Sequence, residues 1–349
     1  MDVVLAIPRL IVELVLYLGD VLFLSPGNLV LILGLTTPLA LGALCGVLCE
    51  RSGVVNIGIE GIMLNAAFFG YLTGWALHEQ VGDGAALALG TLVAVVVGLL
   101  MGVVHAWLSV TIRADQIIAG VFLNVFAFGL TSFLNRLIIT PSGRGGAGVM
   151  PTLELIPAPI VEVPVIGPIL AMFFNQNPIA LSLLFIVLVS QFLLFRSRWG
   201  LRTRAVGEHP KAADTLGVNV FRLRYLNVIV GCGLAGLAGA YMTLASTGSF
   251  QNGMSGGRGF IALAAMIFGR WTPLGAFGGA LLFGAATGVQ LIVGVDPPTG
   301  ELGDIMRAIP SFWYAAFPYL LTIVILAGVV GRSIPPAADG IPYEKEARA

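Results

Sequence analysis

The stretch ERSGVVNIGIEGIMLNAAFFG, residues 50–70, sets Glu50, Arg51, Asn56, Glu60 and Asn65 in an otherwise apolar run. Glu50 and Arg51 suit a helix end. Glu60 and Asn65 cannot lie at one if the run from Ile57 to Leu77 crosses a membrane, since a span takes about 20 predominantly apolar residues. A carboxylate at membrane depth costs about 2.5–3.5 kcal/mol on insertion scales, so by default it faces a polar cavity or a partner. The meaning of the stretch therefore depends on what solvates the rest of the chain.

Composition answers that. The 349 residues are 57% hydrophobic and only 10% charged, with a mean hydropathy of +0.96. A soluble domain carries about 25% charged residues. The chain has too few to cover a water-facing surface, so lipid solvates most of it: an all-α polytopic membrane protein. A net charge of zero leaves no basic footprint for nucleic acid.

Hydropathy marks spans near 29–49, 57–77, 85–108, 116–137, 178–195, 224–246, 274–294 and 308–330. A shorter run, 259–269, lies between GSFQNGMSGGRGF and GRWTPLG, as broken or re-entrant helices do. The expected total is about 8–10 transmembrane or re-entrant helices. Residues 1–28 read as an interfacial helix or a tilted first span, because Arg9, Glu13 and Asp20 interrupt the run and no cleavage site follows. Residues 29–331 form the transmembrane domain. Within it, 138–177 is an extracytoplasmic loop whose recurring prolines over 151–168 favour an extended or hairpin form with a little strand.

Charge orients the spans. The loop 196–224 holds Arg196, Arg198, Arg202, Arg204, Lys211, Arg222 and Arg224 and is cytoplasmic by the positive-inside rule. Alternating outward from it places Arg51, Arg113, Arg270, Arg332, Lys345 and Arg348 inside as well. Glu79, Asp83, Glu154, Glu162, Asp296, Glu301 and Asp304 collect outside. The tail 332–349 is then cytoplasmic.

Glycines four apart, Gly275/Gly279 and Gly284/Gly288, suit close helix packing in lipid. Gly231, Gly233 and Gly236 spell a dinucleotide fingerprint, but inside an apolar span with no preceding strand they read as packing glycines. Cys45, Cys49 and Cys232 lie in apolar segments and fit neither a disulfide framework nor a zinc spacing. The chain has no phosphate-binding G-x-x-x-x-G-K-[ST] loop, no catalytic triad pattern and no metal-ligand spacing. It is read as a non-enzyme without cofactor or metal.

The loop stretch GLRTRAVGEHPKAADTLGVNV is the most distinctive signal. Pro210 suits a first helical turn and Gly217 a helix end, giving a short polar helix between two spans. This stretch resembles the coupling loop of permease subunits of ATP-binding-cassette importers, in the branched-chain amino acid/simple sugar permease family. ERSGVVNIGIEGIML (50–64), RADQIIAGVFLNVFAFGLTSFL (113–134) and GRGFIALAAMIFGRWTPLGAFGGALLFG (257–284) resemble the same family. Together they are closest to its nucleoside and simple-sugar uptake subgroup. The resemblance runs from about 29 to 330. It implies a plasma-membrane, multi-pass subunit paired with a second permease (a heterodimer), two cytoplasmic ATPases that bind the ATP, and an extracytoplasmic binding lipoprotein. It also implies that 205–217 is the coupling helix, with Gly207, Glu208, Pro210, Ala212, Ala213, Asp214 and Gly217 meeting the ATPase.

Pathway candidates are the polar and aromatic residues in the apolar matrix: Asn56, Glu60, Asn65, Phe68, Asn124, Phe250, Gln251 and Asn252. Two readings of Glu60 stand. It lines or gates the path, or it braces neighbouring helices through hydrogen bonds to backbone near 258–260 or to Arg258. A self-contained secondary transporter or channel using Glu60 as an ion or proton site is the competing function.

Overall fold

The computed structural model describes residues 2–23, 25–142, 146–295, 297–310, 313–314, 316, 320 and 333–345. Its helices begin with α1 (Asp2–Phe23), α2 (Pro26–Glu50), α3 (Ile59–Val81), α4 (Asp83–Ala106), α5 (Gln116–Leu134) and the short α6 (Thr140–Ser142). Next come α7 (Ala158–Val161), α8 (Ile166–Phe174), α9 (Pro178–Arg196), α10 (Arg198–Glu208) and α11 (Pro210–Thr215). Then follow α12 (Val220–Ala240), α13 (Arg258–Phe268), α14 (Pro273–Val295) and α15 (Glu301–Ala308). The protein is an all-α polytopic membrane protein. Six helical stretches among the described residues, containing α2, α4, α5, α9, α12 and α14, are long and apolar enough to cross a membrane. α3 matches the expected span at 57–77 and has spanning length, at 23 residues. The expected span at 308–330 lies largely outside the described residues, as do Asp296, Arg332 and Arg348.

Local chemistry sets the helix starts. Asp115 caps α5, its Oδ1 accepting the N–H groups of Ile117 (2.9 Å) and Ile118 (3.0 Å). Ser197 and Asn219 cap α10 and α12 in the same way. α4, α5 and α12 each run on into a π-helical turn, at Trp107–Thr111, Asn135–Ile139 and Tyr241–Thr247. The expected helix over 205–217 is divided. α10 ends at Glu208, His209 is extended (φ −140°, ψ 78°), and α11 starts at Pro210. A residue before proline is sterically pushed out of the helical region, which explains the break.

Residues Thr37–Pro151, Ser182–Ala280 and Ser333–Ala349 form one compact unit. Its centre is the packing of α3, α4 and α12. A Cβ at Gly239 of α12 would lie 2.4 Å from the Met63 carbonyl of α3, and one at Gly98 of α4 would lie 2.4 Å from the Cys232 carbonyl of α12. Only glycine permits such approach, and close backbone contact supplies dispersion where lipid removes the hydrophobic drive. Gly231, Gly233 and Gly236 face α2 and α4, so this glycine triplet serves helix packing.

The other unit comprises Met1–Thr36, Thr152–Leu181 and Leu281–Arg332. Here β1 (Leu153–Glu154) pairs antiparallel with β2 (Asn175–Gln176), the small strand content expected near 151–168. Between them α8 forms despite Pro168, which falls in the first turn, where the missing N–H would have no intrahelical acceptor. Gln176 Nε2 donates to the Val30 and Met172 carbonyls at 2.9 and 3.0 Å.

Candidate functional site: a pinned break and a short helix

The link 51–58 between α2 and α3 is irregular backbone buried among helices. Such backbone must find partners, because an unpaired buried amide costs about as much as a lost hydrogen bond. The intramembrane polar residues supply them. Gln116 Oε1 accepts the Val55 N–H at 2.7 Å, and His105 Nε2 lies 3.0 Å from the Val55 carbonyl. Asn124 bridges the helix entry, accepting the Gly61 N–H at 2.7 Å and donating to the Ile57 carbonyl at 3.1 Å.

Glu60 does the same for a second helix. Its Oε1 accepts the Gly257 N–H at 2.8 Å and its Oε2 the Gly259 N–H at 2.6 Å. Gly257, at φ +84°, precedes α13 and offers no side chain to cap it. Glu60 thus caps α13 from across the bundle, with its charge at the positive end of the helix dipole. The C-terminal end of α13 is held from the same stretch. Arg51 donates to the Trp271 and Arg270 carbonyls at 2.8 and 3.1 Å, and Trp271 Nε1 donates to Glu50. The segment quoted at the outset grips both ends of the eleven-residue α13. Of the two readings of Glu60, bracing through backbone near 258–260 has direct geometry. Arg258 instead turns to the Met254 and Ser255 carbonyls.

The remaining pathway candidates divide by exposure. Asn56 and Asn65 are buried. The Asn56 Oδ1 accepts the Gly58 N–H, and its amide donates to Cys232 Sγ at 3.3 Å and to Cys45 and Cys49 Sγ at 3.7 Å each. Sequence spacing missed this cluster: the three sulfurs lie within 4.8 Å of one another, yet Cys232 is 176 residues from Asn56. The Asn56 amide faces all three sulfurs of this buried cluster. Asn65 donates to Met101 Sδ at 3.5 Å. Phe68 is buried edge-on against Phe250, ring centroids 5.0 Å apart. Phe122, Phe126 and Phe128 are exposed. Glu60 and Asn124 are half-buried, and Gln251 and Asn252 are exposed, with Asn135 Nδ2 donating to Asn252 Oδ1 at 2.9 Å.

α10 and α11 form the second candidate region. Ala213 is buried with Val206, Val220 and Tyr343, while Lys211, Ala212 and Thr215 are exposed. Leu216 is 85% exposed. Gly217 closes the helix at φ +82°, its N–H donating to the Asp214 carbonyl, and Val218 N–H returns to Ala213. Gly207 is buried: a Cβ there would lie 2.3 Å from the Arg51 carbonyl. Arg51 and Arg204 both lie over the Phe195 ring, at 5.7 and 5.0 Å.

Known proteins share this chain's plan along most of its length. Residues 28–330 match the family described as branched-chain amino acid transport system / permease component. The guanosine ABC transporter permease protein NupQ of Bacillus subtilis is 40% identical over 317 residues, covering 89% of this chain and 94% of that protein. The nucleoside ABC transporter permease protein NupC of Lactococcus lactis is 37% identical, covering 89% and 94%. The putative glucose ABC transporter permease protein TsgC13 of Haloferax volcanii is 36% identical, covering 85% and 89%. No solved structure gives a significant match. The chain belongs to the permease-component family of branched-chain amino acid transport systems, whose members similar to it include permease subunits of ABC-type importers.

Proposed function

We propose that this subunit provides the translocation path of a nucleoside importer in the plasma membrane. It would work beside a second, non-identical permease, with separate cytoplasmic ATPases and an extracytoplasmic binding lipoprotein. The observation that carries the coupling is α11, which anchors through Ala213 and leaves Lys211, Ala212, Thr215 and Leu216 exposed. A permease of the ABC type takes its power from separate ATPases, and this helix offers the contact such a partner would need. ATP binding closes the ATPase pair, α11 moves with it, and the spans alternate between outward and inward access. α10, α11 and the C-terminal tail then lie on the cytoplasmic side. The solute assignment rests on the two nucleoside permeases it resembles.

The competing secondary-transporter reading needs a free ionisable group at depth. Both Glu60 oxygens instead accept backbone N–H groups, which favours a structural carboxylate. The similarity to a putative glucose permease supports a sugar as the second choice of solute. The test is uptake by the reconstituted complex in liposomes. ATP-dependent guanosine uptake, competed by excess nucleoside and not by glucose, is expected. Glucose uptake alone would reassign the solute. Guanosine uptake driven by a proton gradient without ATP would remove the whole reading.

A further inference from the structure

The residues Ser333–Lys345 form neither helix nor strand. Chain ends of this kind are loose unless something ties them down. This one is tied repeatedly. Ser333 Oγ donates to the Ile267 carbonyl at 2.8 Å, close to the C-terminal end of α13. Ala337 N–H donates to Glu208 Oε2 at 3.1 Å, and Ala338 N–H donates to the Gly207 carbonyl at 2.8 Å. The Arg224 Nη1 donates to the Ile341 carbonyl at 2.9 Å. Tyr343, 6% exposed, completes the apolar cluster of Val206, Ala213 and Val220, its ring 5.4 Å from that of Phe221. Glu344 pairs with Arg113 at 2.7 Å, and Lys345 Nζ lies 4.0 Å from Asp214.

These contacts matter because α11 has six residues. A helix that short is not stable by itself in water; packing must hold it. Its one buried residue, Ala213, packs in a cluster that Tyr343 completes. The same tail presses on the link 51–58: a Cβ at Gly53 would meet the Ala338 carbonyl at 3.0 Å and Arg224 Nη2 at 2.7 Å. Arg51 in that link, with Glu50 just before it and Glu60 just after it, grips the ends of α13. The tail therefore touches the short helix on one side and the holder of α13 on the other.

We propose that Ser333–Lys345 is a strap that positions α11 and transmits its displacement to the link 51–58 and thence to α13, with Tyr343 and Arg224 as positioning residues. The strap deepens, and rests on, the reading of α11 as the ATPase contact. No contact of the strap with solute is invoked.

The test uses the complete transporter complex in nanodiscs, with guanosine as the solute probe. Hydrogen exchange is followed at the amides of 210–217, and uptake per ATP hydrolysed is measured in parallel liposomes. Tyr343→Ala should speed exchange in that segment about tenfold, through local opening, while leaving the spans protected. It should also lower guanosine taken up per ATP. Tyr343→Phe, which keeps the ring, should restore both. If Tyr343→Ala does not insert, a chain ending at Pro342 removes the ring and keeps every upstream tie. Unchanged exchange overturns the strap, as does faster exchange with undiminished uptake per ATP. The exposed-site variant Ala212→Arg judges the ATPase contact separately. If it leaves hydrolysis fully coupled, the contact reading fails, while the exchange measurement still decides whether the strap holds α11.

Discussion

The Glu60 carboxylate accepts the Gly259 N–H at 2.6 Å, and a Cβ on Gly259 would lie 2.5 Å from the Glu60 Cα. The two backbones are as close as glycine allows, so the acid and the glycine form one device. Removing either removes the cap of α13.

Glu60→Ala should therefore cost more than Glu60→Gln. Alanine leaves two part-buried N–H groups without their acceptor, where a fully buried one would cost about 1–3 kcal/mol. Glutamine keeps one acceptor oxygen and turns an NH2 group toward the second N–H. Uptake in proteoliposomes should fall in the order wild type, Gln, Ala, with none of the three responding to an imposed proton gradient. A Gln variant as inactive as Ala, with wild-type uptake gradient-driven, would return Glu60 to the role of proton carrier.

Much of this architecture was legible in the sequence. Spans are long apolar runs, a local signal, so seven of the eight expected spans fall on observed helices. Pro210 and Gly217 mark α11 through backbone conformations that one residue dictates. The polar set Glu60, Gln116 and Asn124 stood out by its cost in lipid, but not by its partners. Gln116 and Asn124 satisfy backbone in and beside the link 51–58, and Glu60 satisfies the amides that open α13. Those tasks appear only once α3, α5 and α13 are side by side. The cysteine node and the tail contacts are likewise invisible to spacing. Cys232 joins Cys45 and Cys49 through tertiary packing, and Tyr343 sits in a composition that looks like any exposed tail.

Gly207 and Ala212 separate fold from docking. A side chain at Gly207 meets the Arg51 carbonyl, so Gly207→Trp should lower the amount of inserted subunit. Ala212 is exposed, so Ala212→Arg should leave insertion and thermal stability within about 0.5 kcal/mol and weaken ATPase association. Quantifying inserted subunit and co-purifying ATPase checks both. Equal loss of insertion in the two variants would show that α11 is structural.

Reactivity should distinguish the exposed from the buried part of the break before α13. Cysteine at Gln251 or Asn252, both exposed, should react with a membrane-impermeant thiol reagent applied from outside. Cysteine at Ser255, 2% exposed, should not, and the native Cys45, Cys49 and Cys232 are buried and give no background. Guanosine should change the rate at Gln251 or Asn252 if the break lines the path. Rates indifferent to guanosine and ATP would place the path elsewhere.

Tail docking should weaken as pH rises through neutrality. Burial pushes the Asp339 carboxyl up to about 7, with Cys49 adding to the rise, while hydrogen bonds from Glu50 and the Gly340 backbone and the Arg224 guanidinium pull the other way. In a released tail the group returns to its ordinary value near 3.8. Between those two values the docked tail holds a proton that the released tail has lost. Lowering pH across that window therefore favours docking, and raising it through about 7 opposes it. Hydrogen exchange at 337–343 should be slower at pH 6 than at pH 8 once intrinsic rates are corrected. Asp339→Asn should remove the dependence and keep the tail docked at pH 8. Persistence of the pH dependence in the Asn variant would assign it to another group.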